Sequence, residues 1–519
     1  MSRLLQDLAA GRDDAVALAM DGERLTYGEL ERRSNRVAAL LADAGCRRGD
    51  RVALLVPKSP AAVVTMLGTL KADCAYVPVD VASPAPRVAR IVRSAEPALV
   101  VGEKNSWPLV HALQREGGLG PAVPLASLDG SAPEDGEAVF GPAAWEGGDA
   151  EPPPRRNGAD DPAHILFTSG STGEPKGVVI THRNVTTFVD WALDYFGLDA
   201  SDRISGHPPL HFDLSTFDIY GSLAAGAELH LVPARLNLLA NELAGLIRRE
   251  RLTQWFSVPS TMAFMTKFGA VGDFPDLRRV LWCGEVLPTP VLAGWMRRLP
   301  HARFTNLYGP TEATIASSYY TVPEAPADET VPVPIGEACG GETLHVLDEG
   351  LEPMAAGERG DLYIGGAGLS PGYWRDEERT RAAFLEHRAA GRIYRTGDLA
   401  WADESGLVHF VGRADTQIKS RGYRIELGEI EAALNALEDV RECAVVGVAS
   451  GGFEATAICC AYAAGNGASL EPPAVRAELA KALPAYMLPS RWLRLDALPK
   501  NVNGKIDRSG LAEQFRAST

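Results

Sequence analysis

The sequence predicts an α/β fold: a large multi-layer N-terminal domain with parallel-rich sheets, then a small mobile α+β C-terminal domain. Helical and strand-like runs alternate through the first 410 of the 519 residues. The strand-like runs are short and continuously apolar, as in parallel strands covered on both faces. The composition then changes near residue 412, where a unit of about 100 residues begins, an ordinary domain size.

In chain order, "YGELERRSNRVAALLADAG" sets Leu30, Val37, Leu40 and Leu41 near one helical stripe and stops at Gly45. "RVALLVPKS" reads as a buried strand, a helix runs through Met66 to Lys71, and "AYVPVD" is the next strand. Residues 115 to 162, including "GSAPEDGEAVFGPAAWEGGDAEPPPRRNGADDP", are rich in Gly, Pro, Ala and acids without periodicity. They read as a mobile surface insertion. The apolar run Ile165-Leu166-Phe167 is a strand that feeds the loop "TSGSTGEPKG" at 168–177. Past 412, Ile430, Ala433, Leu434 and Leu437 fall at i, i+3, i+4 and i+7, an amphipathic helix. "CAVVGVA" is a strand, and a helix from Pro473 is closed by Pro484. The predicted domains are 1–414 and 415–519.

Bulk properties narrow the function. A net charge of −16 argues against a nucleic-acid binder, which needs a basic face. With 46% hydrophobic and 23% charged residues the core needs no disulfide or metal staple. The 7 cysteines form no CxxC pair, which suits reduced thiols. No segment reaches the ~18 apolar residues of a membrane span. The start "MSRLLQDLAAGRDD" lacks an apolar signal core. The expectation is a cytoplasmic protein with neither nucleic acid nor membrane as partner.

The 168–177 loop carries the first chemistry. Backbone N–H groups and hydroxyls of Thr168, Ser169, Gly170, Ser171, Thr172 and Gly173 can cradle phosphate oxygens, and Lys176 adds a point charge. A Walker loop needs Gly-Lys-Ser/Thr opening a helix. Pro175-Lys176-Gly177 offers neither that helical start nor a hydroxyl for magnesium.

The loop resembles the phosphate-binding signature of the adenylate-forming ligases, which include acyl-CoA synthetases, luciferases and nonribosomal peptide synthetase adenylation domains. The resemblance runs over nearly the whole chain in the family's order. "LTYGEL" (25–30) and "LKADCAYVPVD" (70–80) precede the loop, with Asp73 where the family usually has Gly. "FDLS" (212–215), "NLYGPTE" (306–312), "GDLYIGGAGLSPGYW" (360–374) and "YRTGDL" (394–399) follow. "GRADTQIKSRGYRIELGEIE" (412–431), "LPAYMLP" (483–489) and "NGKIDR" (503–508) complete the series. These versions resemble the amino-acid-activating branch.

The resemblance implies ATP and Mg2+ as cofactors, and a reaction that brings a carboxylate against the α-phosphate. Preorganised cations and dipoles must offset that charge. It makes Glu312 the magnesium ligand, Thr311 an α-phosphate contact and Lys505 the catalytic cation between substrate carboxylate and α-phosphate. Tyr308 would lie against adenine, Asp398 would accept the ribose hydroxyls, and Phe410 and Arg413 would complete the nucleotide site. A carboxylate suits ribose because its two oxygens can accept from adjacent hydroxyls. Asp415 matches the hinge about which the small domain turns. Gly422 matches a position on the tunnel for a phosphopantetheine arm.

Asp213 matches the residue that pairs with the substrate α-ammonium; a helix cap is the competing role, since Ser215 and Thr216 follow. The resemblance lines the side-chain pocket with Leu214, Phe217, Phe256, Leu281, Cys283, Leu307, Ile315 and Ala316. That apolar, crowded set implies a small apolar amino acid, alanine first and proline as runner-up. An acyl- or aryl-CoA synthetase, or a non-catalytic nucleotide-binding module, is the competing class. No carrier-domain Gly-Gly-(His/Asp)-Ser-Leu motif follows, so the expectation is transfer to the phosphopantetheine thiol of a separate carrier protein. Arg421 and Arg424 are expected in a basic patch at its docking face.

Overall fold

The computed structural model describes residues 4–9, 12–132, 138–146, 151, 153–170, 174–449, 456–465, 470–500 and 506–518. Two parallel-rich sheets and one antiparallel sheet make up the large N-terminal part. The largest has nine strands, of which Arg303–Tyr308, Arg279–Cys283, Gln254–Ser257, Arg203–Gly206, Glu228–Leu231 and Val16–Met20 run parallel side by side. The second has six strands ordered Leu125–Ser127, Leu99–Gly102, Arg51–Leu54, Ala75–Pro78, Pro162–Thr168 and Lys176–Thr181. Only its last pair is antiparallel, so the 168–177 loop joins two strands rather than a strand and a helix. One core unites the facing helices and sheets, with Val37, Leu41, Val63, Leu67, Tyr220 and Leu223 all 2% exposed or less.

Local rules account for the elements. Helix Tyr27–Asp43 begins at Thr26, whose hydroxyl accepts from the Glu29 amide while Glu29 reaches back to Thr26 N–H, a reciprocal cap. Asp73 holds φ 57°, the left-handed conformation a glycine would take, and its carboxylate accepts the Asn157 amide at 3.0 Å.

The described residues of the 115–162 segment depart from the predicted irregular insertion, of which 133–137, 147–150 and 152 lie outside the described residues. Leu125–Ser127 is an edge strand and Pro142–Glu146 a short helix, with Phe140 and Trp145 buried in the main core. Two aromatic anchors outweigh the weak periodicity, since burying such a side chain gains about 1.5–3 kcal/mol.

From residue 417 a separate unit begins. The hairpin Gln417–Ser420/Tyr423–Glu426 leads into helix Leu427–Asn435. A three-stranded sheet of Val440–Ala449, Thr456–Ala464 and Arg491–Arg494 follows, with helices Pro472–Leu479 and Arg508–Ala517. Ile425, Ile430 and Leu434 pack on one face of that sheet with Val445 and Tyr462; Ala444, Leu511 and Phe515 cover the other. All seven cysteines are free and buried. Among the described residues no helix is long and apolar enough to cross a membrane.

Candidate active site

Carboxyl ends of parallel strands are where open α/β sheets gather ligand-binding loops. Here Ser257, Cys283 and Tyr308 end adjacent strands of the large sheet, and the loops after them carry Val258, Glu285 and Glu312. From the second sheet, Thr168 and Ser169 at the start of the 168–177 loop border the same cavity as Cys283 and Thr311. Gly170 turns back on the Glu174 carbonyl oxygen so closely that any Cβ would collide with it. Ser171, Thr172, Gly173 and Lys505 lie outside the described residues. Thr168 ends its strand with a buried hydroxyl that has no partner among the described residues. Ser169 donates its hydroxyl proton to the Arg424 carbonyl at 2.7 Å.

Glu312 sits on the single turn Thr311–Ala313 with no exposed surface. Thr314 and Ile315 follow at φ 55° and 68°. Such conformations cost about 1–3 kcal/mol each and cluster where function fixes the backbone. Glu312 Oε1 accepts from Lys176 Nζ at 2.9 Å and from the Tyr373 hydroxyl at 2.8 Å. Oε2 accepts from Arg424 Nη1 at 2.8 Å. Burial alone would raise this carboxyl, but the Arg424 and Lys176 charges hold it well below the usual carboxylate range.

A buried carboxylate is the donor that magnesium takes alongside phosphate oxygens and water. Among the described residues no cluster of three or more His, Cys, Asp or Glu could cage a metal alone. With Arg424 in place, however, Oε2 is already paired. Two unit charges 4 Å apart repel by about 4 kcal/mol near a protein surface, so a dication and that guanidinium would compete for it.

The predicted nucleotide residues converge on one wall. Tyr308 donates its hydroxyl to Asp398, and Arg413 Nη1 reaches the same carboxylate at 2.8 Å. Arg413 also grips Asp415 through two bonds, 3.0 and 2.6 Å. Phe410 lies 6.4 Å from the Tyr308 ring. Tyr308, Asp398, Phe410 and Arg413 all face a cleft of about 1290 Å3 between the two parts of the chain.

Asp213 precedes helix Leu214–Ala225 but makes no side-chain cap bond, so the capping role is not the one it plays. Its Oδ2 accepts the Thr311 hydroxyl at 2.8 Å. Burial pushes its carboxyl up to about 6, against the Thr311 hydrogen bond and the Lys419 charge. It borders a cavity of about 110 Å3 with Leu214, Val258, Cys283, Gly284 and Thr311. Of the eight expected pocket residues, Leu214 and Cys283 face this cavity. Phe217, Phe256, Leu281, Ile315 and Ala316 are packed behind it at 1% exposure or less, and Leu307 borders the larger cleft. Phe217 and Phe256 meet edge to face at 5.8 Å, which commits their area to the core.

The 417–426 hairpin closes the site. Arg421 and Gly422 form its two-residue turn at φ 52° and 80°, the mirror-image geometry that matches strand twist. Gly422 N–H donates to Glu285 Oε1 at 2.9 Å, and a Cβ there would come within 2.6 Å of Val258. Lys419 and Arg424 are cross-strand partners. Lys419 Nζ lies 5.7 Å from the centre of the Tyr308 ring. Arg424 therefore does not join the docking patch expected from the sequence: its side chain is 16% exposed and committed to Glu312. Arg421 borders a different hollow, with Arg476 and Trp492.

Sequence reasoning also missed Lys58, Tyr373 and Glu285. Lys58 Nζ donates to the carbonyls of His207 at 2.7 Å and Pro208 at 3.1 Å, pinning the segment that leads to Asp213. Burial pulls its ammonium down to about 7. Capping a carbonyl has no spacing signature. The Arg424 site did have one: a two-residue "RG" turn sets Lys419 and Arg424 side by side.

A family model described as AMP-binding enzyme matches residues 5–374, and one described as AMP-binding enzyme C-terminal domain matches 429–505. An L-proline–[L-prolyl-carrier protein] ligase of Streptomyces coelicolor is 36% identical over 515 residues, 97% of this chain and 94% of that protein. Syringomycin synthase SyrB1 of Pseudomonas syringae pv. syringae is 34% identical over 518 residues, 98% of this chain and 81% of that protein. Among solved structures, NpsA-ThdA, an artificially fused adenylation–PCP di-domain from Klebsiella oxytoca, is 26% identical with a TM-score of 0.78. It covers 95% of this chain, which covers 94% of it.

Proposed function

The chain belongs to the adenylate-forming ligases, the AMP-binding enzyme family, and from that premise we propose that it activates a small apolar L-amino acid. The amino acid and ATP give aminoacyl-AMP and pyrophosphate, and the aminoacyl group passes to the phosphopantetheine thiol of a separate carrier protein. The observation that carries the reading is Asp213, a half-buried carboxylate without a cap bond, on a cavity of about 110 Å3 that it shares with Leu214, Val258 and Cys283 as well as with Lys419 and Arg424. A carboxylate there pairs with an α-ammonium, which fatty and aryl acids lack. Alanine is the first reading because the residues that the sequence resemblance assigns to the side-chain pocket are apolar and crowded. Proline is the second reading, favoured by the Streptomyces coelicolor ligase.

The remaining roles follow. Lys176, Ser169 and the rest of the 168–173 loop hold the polyphosphate, Thr311 the α-phosphate, and Tyr308, Asp398, Phe410 and Arg413 the adenosine. Mg2+ at Glu312 would neutralise phosphate charge. Lys505 is the catalytic cation, Asp415 the hinge between domains 1–414 and 415–519, and Gly422 a wall of the pantetheine path. The seven free, buried thiols support a reducing compartment, the cytoplasm.

Amino-acid-dependent ATP–pyrophosphate exchange over the common amino acids tests the proposal. Alanine should lead, with neighbours one methylene away about 10–200-fold behind. Preference for a charged or aromatic amino acid, or exchange only with acids lacking an amine, would overturn it.

A further inference from the structure

Arg424 meets both kinds of group that the nucleotide and its metal would meet. Its guanidinium takes Glu312 Oε2 at 2.8 Å, the carboxylate oxygen a metal would use. Its carbonyl accepts the Ser169 hydroxyl at 2.7 Å, a proton a phosphate oxygen would otherwise accept. One residue of the small domain thus satisfies a carboxylate and a hydroxyl of the large one. Its hairpin is seated by contacts independent of Glu312: Gly422 N–H on Glu285 at 2.9 Å, and Tyr423 edge-on to Phe212 at 4.9 Å.

We infer that Arg424 is an internal counter-cation that exchanges with magnesium on Glu312, so that hairpin docking and metal binding exclude each other. The inference rests on the reading of Glu312 as the metal ligand. Lys176 does not exchange, because it extends from the phosphate-loop strand itself and reaches the other oxygen, Oε1. Lys419 arrives beside Arg424 as its cross-strand partner, within range of Asp213. Arg424 therefore returns a positive charge to the carboxylate oxygen that a departing metal would leave. Docking of the hairpin is thereby confined to the metal-free site.

The test is binding of manganese pyrophosphate to the full chain, read from free Mn2+ by electron paramagnetic resonance. If the docked arrangement holds about nine-tenths of the molecules, Arg424→Gln should bind about tenfold tighter than the unsubstituted chain. Arg424→Lys, which keeps the charge, should fall between the two. Glu285→Ala frees the hairpin without touching Glu312 and should tighten binding in the same direction. In the unsubstituted chain, manganese pyrophosphate should speed hydrogen exchange across 417–426. Because the expected change is a gain in affinity, misfolding cannot imitate it. If Glu312→Gln weakens binding while Arg424→Gln leaves it unchanged, the exchange is refuted and the metal reading stands. Tightening by Arg424→Gln but not by Glu285→Ala would reduce the effect to local charge and refute exclusion by docking. Unchanged binding in Glu312→Gln would refute the metal reading and this inference with it.

Discussion

Asp213 is held by Thr311 rather than by a cap bond, and its proposed role is to pair with the substrate α-ammonium. Its position was legible because "FDLS" sits in a full motif series, and the missing cap bond now separates its two possible roles. Burial raises its carboxyl from 3.8 to about 6, so the folded chain holds its proton more tightly than the unfolded chain. Stability from this group is therefore present below the unfolded value and lost as pH rises through about 6. Binding has the opposite sign, since an α-ammonium needs the ionised form. The expected kcat/KM for the amino acid in pyrophosphate exchange falls tenfold per unit as pH drops below about 6, and Asp213→Asn is uniformly low. At pH 7 the same substitution should raise the melting temperature, a gain that disappears below pH 4. A pH-independent kcat/KM in the unsubstituted chain would separate Asp213 from substrate binding. Lys58, in contrast, was illegible: its partners are carbonyls about 150 positions away, and carbonyls carry no sequence.

At the scale of elements, periodicity located the helices and parallel strands because burial repeats along them. It misjudged 115–162, where anchoring rests on Phe140 and Trp145 rather than on a repeat. The hairpin lies between these cases. Its "RG" turn was quoted for Gly422, and the structure adds why glycine stands there: φ 80°, Val258 within 2.6 Å of any Cβ, and an amide committed to Glu285. An alanine at φ > 0 costs about 1 kcal/mol before any clash. Gly422→Ala should therefore lift the turn off Val258. Aminoacyl transfer to the carrier thiol should fall at least tenfold, while pyrophosphate exchange stays within about threefold, since exchange does not require the docked hairpin. Equal loss of both rates would show that the turn serves adenylation itself.

At the scale of the whole molecule, two domains with separate cores meet through polar and aromatic contacts around a cleft of about 1290 Å3. The most buried of these contacts is the ion pair of Arg87 and Glu429, whose side chains are 5% and 2% exposed. Neither residue stood out in the sequence, because a pair 342 positions apart has no local pattern. Desolvating both charges makes such a pair a poor source of net stability, yet removing one partner strands the other at a cost of about 3–5 kcal/mol. The pair thus acts on the arrangement of the domains more than on the fold of either. Each charge can regain water when the domains part, so the penalty for a single replacement falls on the docked arrangement alone. Glu429→Ala should then slow carrier loading and make the chain near Asp415 more open to limited proteolysis, with little change in pyrophosphate exchange. The paired replacement Arg87→Met with Glu429→Leu removes both charges and should recover much of the loading rate. If Glu429→Ala loads the carrier as fast as the unsubstituted chain, the pair does not hold the domains in the docked state, and the hairpin's own contacts with Glu285 and Glu312 suffice.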